Sequence, residues 1–285
     1  MKFTINTQDF KVAINKAVKV IPAKPSLEIL GGVNIIVEND TCTFHTTDLD
    51  TAIVSKIPTN KMETGTINFI LGDVKNIQKA MKFFKSDYVK FNIEGSVVTI
   101  ICGDKKISQG IKIETDEDCI FPRIKEFALK EEYIYDIANL KRRFNLIKYA
   151  VSNKDKPALQ GIHFKGNDMV TCDGYRLALN KDNNLDITTP ITITLECLKV
   201  ATGTLKGNIK IEIDNEKRYV SISDDDTTII SRLIEEKFPN YEQFIPEEKN
   251  CSDINVEDFV QDIKYLKTFT SAKVKTPIQW LGNKL

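Results

Sequence analysis

The sequence predicts an α+β fold in which one small strand–helix–strands unit recurs along the chain, with helices packed on helices and antiparallel sheets beside each other. Five stretches have the apolar spacing of amphipathic helices. Each of the first four is followed by alternating stretches broken by turn residues. The helices also recur at a step of roughly 60 residues, longer than a common solenoid repeat and suited to a small α+β unit.

The first helix is expected from about Gln8 to Ile21, where Phe10, Ala13, Ala17, Val18 and Ile21 form an apolar stripe. Val33 to Val37 and Cys42 to Thr46 follow it and flank Asn39-Asp40, a hairpin signature. The second helix, about Gly72 to Lys85, aligns Val74, Ile77, Met81 and Phe84; Tyr88 to Ile93, Val97 to Ile101 and Gly110 to Ile113 read as its strands. The third, about Ala138 to Ser152, aligns Leu140, Phe144, Ile147 and Val151, ahead of strands at Ile162 to Lys165 and Met169 to Thr171. The fourth, about Leu195 to Lys206, is weakened by Thr202, Gly203 and Thr204, and precedes Ile209 to Ile213, Tyr219 to Ser223 and Thr228 to Leu233. The fifth runs from about Val256 to Ala272. A short strand is expected before each of the first four, at Phe3 to Ile5, Ile67 to Leu71, Tyr133 to Tyr135 and Ile191 to Thr194.

A weak echo pairs the units in twos. Lys24-Pro25-Ser26-Leu27 after helix one resembles Lys156-Pro157-Ala158-Leu159 after helix three and Lys275-Thr276-Pro277-Ile278 after helix five. The chain therefore divides into expected domains at 1–125 and 126–248, with 249–285 the start of a third that reaches its first helix and strand.

Forty basic and forty acidic side chains cancel, yet they are segregated. The four expected helices carry formal charges of +2, +3, +4 and +1, which leaves −10 on the remainder. Lys75, Lys79 and Lys82 stand at i, i+4 and i+7, opposite the apolar stripe, and Lys141 and Lys148 occupy similar places on helix three. Basic helices among acidic strands, with few interleaved aromatics, fit a polyanion backbone better than base stacking, so duplex binding without sequence preference is expected. No apolar run is long enough to span a membrane and Met1 to Asn6 lacks a signal-peptide pattern, so a cytoplasmic protein with no membrane partner is expected. The six cysteines form no CxxC pair and read as reduced, mostly buried thiols.

Met1 to Thr4, Lys24 to Gly31, Thr47-Asp48-Leu49-Asp50, Phe238-Pro239-Asn240-Tyr241 and above all Thr171-Cys172-Asp173-Gly174-Tyr175-Arg176-Leu177-Ala178 resemble the bacterial DNA polymerase III beta subunit family, the beta sliding clamps, over essentially the whole chain. The resemblance implies a DNA-clamp fold: a ring of similar domains, helices lining a basic inner surface and sheets outside. It implies a processivity factor rather than an enzyme, one that encircles double-stranded DNA, tethers the replicative polymerase and closes by self-association, a dimer in the family. It places DNA contacts at Lys24, Lys79, Asn153 and Lys154, with Lys141, Arg142, Arg143 and Lys199 as candidates on the inner helices. It also implies a pocket for a short hydrophobic motif of polymerases and clamp-loader subunits, whose matching positions are Leu159, Cys172, Gly174, Tyr175, Arg176, Leu177 and Pro239. No cofactor or metal is implied.

Two other readings compete on the residues. A binding or regulatory module could keep the motif pocket without encircling DNA. A phosphate-processing enzyme would need a catalytic set, and the residues argue against one. His45 and His163 lie within strand patterns and read as structural, while Asp48 and Asp50 lack a third ligand at motif spacing. Asp224-Asp225-Asp226 reads as a hairpin turn, and neither a phosphate-cradling glycine loop nor a nucleophile elbow is present.

Overall fold

The computed structural model describes residues 1–61, 65–114, 120–123, 129–153, 156–246 and 254–269. It divides into a unit spanning Met1–Pro239 and a second spanning Asn240–Leu285. Lys154, Cys119, Cys251 and the strand expected after the fifth helix lie outside the described residues.

In chain order the first unit opens with β1 (Lys2–Asn6), α1 (Thr7–Ala17), β2 (Val33–Glu38), β3 (Thr41–Thr47), β4 (Thr51–Pro58) and β5 (Asn60–Lys61). It continues with β6 (Ile67–Leu71), α2 (Val74–Ala80), β7 (Tyr88–Glu94), β8 (Val97–Cys102) and β9 (Lys105–Ile113). The plan then repeats as β10 (Leu129–Asp136), α3 (Ile137–Ile147), β11 (Gly161–Gly166), β12 (Asp168–Cys172) and β13 (Leu177–Lys181). β14 (Ile187–Thr194), α4 (Leu195–Thr204), β15 (Asn208–Asp214), β16 (Tyr219–Ser223) and β17 (Thr227–Arg232) complete it. The second unit holds α5 (Val256–Thr268), capped by the Asn255 side chain. The fold is α+β and repeated, as expected.

Side-chain oxygens satisfy orphan N–H groups where these helices begin. Asn6 accepts from Gln8 and Asp9, Asp136 from Ala138 and Asn139, and Thr194 from Cys197. α2 lacks such a cap and is the shortest helix, so its last expected turn is a 3-10 turn at Met81–Phe83. Three strands escaped the sequence reading, β4, the two-residue β5 and β13, and β14 begins four residues earlier than expected. Pro190 is tolerated inside β14 because the β11 ladder shifts register there, between Phe164↔Ile191 and Gly166↔Ile187.

The strands form one sheet of thirteen in the order β10-β15-β16-β17-β4-β3-β2-β6-β9-β8-β7-β1-β5, and a second of four, β13-β12-β11-β14. Between the fourth and fifth strands of the larger sheet β17 pairs antiparallel with β4, joining the later half of the unit to the earlier. Each half has its own core. In the earlier half Phe3 stacks on Phe91 at 4.6 Å and Phe10 meets Phe91 edge-on at 5.3 Å. In the later half Leu140, Phe144, Phe164, Ile211 and Ile229 pack together, and Val20 and Ile53 reach in from across the β4–β17 seam.

Candidate nucleic-acid interface and peptide-binding turn

The helices form a row. α2 meets α1, where Gln78 donates to Asn15 at 2.7 Å, and α3 packs on α4. Lys19 at the end of α1 donates to the Gly203 carbonyl and to Thr204 Oγ1 of α4. The order is therefore α2-α1-α4-α3, one layer with its apolar faces turned into the two cores. What remains outside carries most of the helices' cations, beside the exposed apolar side chains of Val12, Phe83, Leu146 and Tyr149. Lys24, Lys75, Lys79, Lys82, Lys141, Arg142, Lys148 and Lys199 are all exposed, and Asn153 is exposed beyond α3. Burial lowers the pKa of Lys19, and the nearby ammonium groups of Lys16 and Lys141 lower it further, so cations of α1 and α3 share one field. Lys199 is partly neutralised by Glu196 at 2.6 Å on its own helix.

Arg143 is a correction. Its side chain is 0% exposed, so it is no surface cation. Its Nε donates to Asn180 Oδ1 at 2.8 Å, and Nη2 to the carbonyls of Asn167 and Asn180 at 2.8 and 3.0 Å. Tyr135, beside it, donates to Asp182 Oδ2 at 2.5 Å, and that bond holds the Asp182 carboxyl below its usual range. A buried guanidinium needs this kind of enclosure to offset its desolvation. The spacing Leu140, Arg143, Phe144, Ile147 already put residue 143 on the core face; its charge had suggested the surface instead.

The second site is the turn between β12 and β13. Asp173 accepts from the backbone N–H of Tyr175 and Arg176 at 2.9 and 2.8 Å, and from Arg176 Nε and Nη2 at 2.9 and 2.7 Å. The Arg176 backbone bond, its guanidinium and the Tyr175 N–H together hold the Asp173 pKa down at about 2, so the turn is locked by an ionised carboxylate. Gly174 takes φ 88°, a left-handed conformation that a side chain would strain. Tyr175 is left 86% exposed, and Arg176 lies over the Tyr149 ring at 5.7 Å.

This hairpin brings together Cys172, Gly174, Tyr175, Arg176 and Leu177, with Cys172 opposite Leu177 in the ladder. Leu159 is buried ahead of β11, and its carbonyl accepts from Ser152 N. Pro239 is exposed; the Phe238 ring before it stacks on His163 of β11 at 4.6 Å. Tyr149, missed from sequence, supplies the aromatic surface beneath Arg176. Its signal was an aromatic at the end of a helix where the first half has Lys19.

The remaining candidates have structural positions. His45 and His163 are buried, and burial pushes both down to a pKa of about 4. Asp48 Oδ1 accepts from the N–H of Asp50 and Thr51, and Asp224 Oδ1 from Asp226 and Thr227, so both carboxylates cap turns. Cys42, Cys102 and Cys197 are buried and Cys172 half-buried, all as free thiols. No helix among the described residues is long and apolar enough to cross a membrane.

Residues 1–117 match the family model described as the N-terminal domain of the DNA polymerase III beta subunit. The beta sliding clamp of Halalkalibacterium halodurans is 23% identical over 290 residues, covering 93% of this chain and 73% of that protein. That of Bacillus subtilis is 23% identical, covering 92% of this chain and 73% of its own length. Among solved structures, the Bacillus subtilis DNA polymerase sliding clamp superposes with a TM-score of 0.79 at 20% identity, covering 96% of this chain and 75% of that one. A Pseudomonas aeruginosa sliding clamp bound to griselimycin superposes at 0.77 with 19% identity, covering 88% and 69%.

Proposed function

We propose that this chain is a member of the bacterial DNA polymerase III beta subunit, or beta sliding clamp, family and acts as a sliding clamp in DNA replication, encircling duplex DNA without sequence preference. The observation that carries this is the row of four helices, whose outward faces gather exposed cations while the acidic excess lies elsewhere on the chain. Flexible lysines on a smooth helical layer make mobile phosphate contacts that fix no register, which suits a protein that moves along its ligand. Lys24, Lys79, Lys141, Arg142, Lys199 and Asn153 make these contacts, together with Lys154.

The role is non-catalytic and cytoplasmic. Chemistry is left to a polymerase held through a short hydrophobic motif, the same motif by which clamp-loader subunits engage. Leu159, Cys172, Gly174, Tyr175, Arg176, Leu177 and Pro239 form this chain's share of that site, with Arg176 oriented by Asp173 and Tyr149 at its edge. The separate cores support division of the chain into domains at 1–125 and 126–248, with a third beginning at 249. Self-association completes the ring.

The test is topological. Protein loaded on nicked circular DNA should persist through a salt wash and be lost rapidly when the circle is linearised. Equal loss from both substrates would contradict encirclement and leave a surface-binding module.

A further inference from the structure

The seam between β4 and β17 has an outer face as well as a core face. Side chains alternate along a strand, so Ile53 and Ile229 turn into the later core while Ala52 and Ile230, paired one rung away, project on the other side. Arg232 lies two residues beyond Ile230, and Tyr219 of β16 stands opposite it in the ladder. These four residues therefore share one face across β16, β17 and β4, the face turned away from the helices.

A cavity of about 290 Å³ lies on that face, bordered also by the turn after β3 and by Pro122 and Arg123. That volume is at the lower end of the range for ligand sites, about 300–1,000 Å³, and admits one large side chain with its neighbour rather than a bulky cofactor. Its walls are held by the chain itself. Arg232 N donates to the Asp50 carbonyl at 2.9 Å, Leu49 N to Thr47 Oγ1 at 3.0 Å, and Thr47 Oγ1 in turn to the Thr51 carbonyl at 3.0 Å. Phe121 is buried edge-on against His45 at 4.9 Å, which anchors Pro122 at the rim. The later half repeats this scaffold: Asn34↔His45 and His163↔Val170 are matching rungs, and Phe238 before Pro239 packs on the second histidine as Phe121 before Pro122 packs on the first.

One difference singles out the earlier turn. Where Gly174 takes φ 88° freely, the same place is held by Leu49 at φ 83°, 47% exposed and beside the cavity. A leucine strains that backbone and is only half covered there, so neither the turn nor the core accounts for its side chain.

The floor of the cavity is apolar, from Leu49, Ala52, Pro122 and Ile230, and the rim is cationic. Arg123 is exposed and has no hydrogen bond or ion pair among the described residues. The Arg232 guanidinium has only Asp50, at 3.8 Å, beyond hydrogen-bonding reach. Two guanidiniums on the rim are thus set against one carboxylate, and a planar guanidinium is suited to a second carboxylate brought by a ligand. We propose that this seam cavity binds a short peptide segment of a partner protein, one that carries a large apolar side chain next to an acidic residue. The apolar group sits on Leu49, Ala52 and Ile230, and the acid meets Arg123 and Arg232. The site is complete within Met1–Pro239, is separate from the turn after β12, and does not rest on the function proposed above.

The test titrates the whole chain, with isotope-labelled methyl groups, with an acetylated and amidated Gly-Phe-Glu-Gly peptide at millimolar concentration. Methyl shifts should gather at Leu49, Ala52 and Ile230 and saturate. Gly-Phe-Gln-Gly and Gly-Ala-Glu-Gly should each bind more weakly, by about fivefold or more. Arg123→Gln should weaken the first peptide by a similar factor with an unchanged melting curve. Leu49→Gly should weaken it without lowering Tm, because it relieves the backbone while removing the floor. Arg176→Ala should leave the shifts at these three methyl-bearing residues unchanged, which keeps failure here apart from failure at the later turn. No saturating shifts at the three residues, shifts centred on Leu159 and Leu177 instead, or equal binding of the glutamine peptide would each overturn the proposal.

Discussion

The turns after β3 and β12 share a backbone. In each an aspartate, Asp48 or Asp173, accepts from the N–H groups two and three residues on, and the residue between, Leu49 or Gly174, has φ 83° or 88°. The first turn is used up in the protein's own seam: Asp50 offers its carbonyl to Arg232 N and its carboxylate to that guanidinium at 3.8 Å. The second presents Tyr175 and Arg176 to solvent, with Arg176 braced by Asp173 and Tyr149. One scaffold thus serves as a structural joint in one half and leaves its side chains exposed in the other, and only the side chains after the aspartate differ. The helices diverge in the same way. Ala13 is fully buried on α1, while Arg143 fills the corresponding place on α3 and brings Asn167 and Asn180 with it.

The largest effect that would sharpen this contrast is at Arg143. Arg143→Ala leaves buried acceptors unpaired and a cavity behind, so stability should fall by about 3 kcal/mol or more, a drop in Tm of roughly 6–10 °C. A melting curve like that of the unchanged chain would mean that the later half does not depend on this substitute for Ala13.

Acid should strike next, and through both halves. His45 and His163 have pKa values of about 4 when folded, against 6.5 for the ordinary group. Between those values the unfolded chain takes up protons that the folded chain refuses. Stability is then complete above pH 6.5 and declines as pH falls toward 4, by about 2 kcal/mol per histidine at pH 5. Equal melting temperatures at pH 7 and pH 5 would contradict the burial of both rings.

The same residues mark what was legible from sequence. The helices were, because a 3.6-residue apolar period survives in one short window. β4 was not: Thr51–Pro58 lies in a seam, and the strand that makes it one comes some 180 residues later. β13 has no long alternating run of its own. At the site, the turn residues were legible as a motif. Arg143 was misplaced because a charged side chain on a core face needs partners, Asn167 and Asn180, that only the fold supplies.

The smallest effect on stability belongs to the second turn. Arg176→Ala removes an exposed guanidinium, so Tm should stay within about a degree, as is usual for surface substitutions. Binding of a short hydrophobic peptide, read by fluorescence anisotropy, should still weaken severalfold. Unchanged peptide affinity would remove Arg176 from the recognition edge.

The function rests on which side of α2 and α3 meets DNA. A Lys79→Glu, Arg142→Glu chain carries both changes on exposed positions and should melt normally. Its duplex affinity should drop, and its dependence on salt should become shallower by about one unit of slope for each phosphate that the helices no longer neutralise. An affinity and a salt slope equal to those of the unchanged chain would contradict the assignment of the helix face to the phosphate backbone.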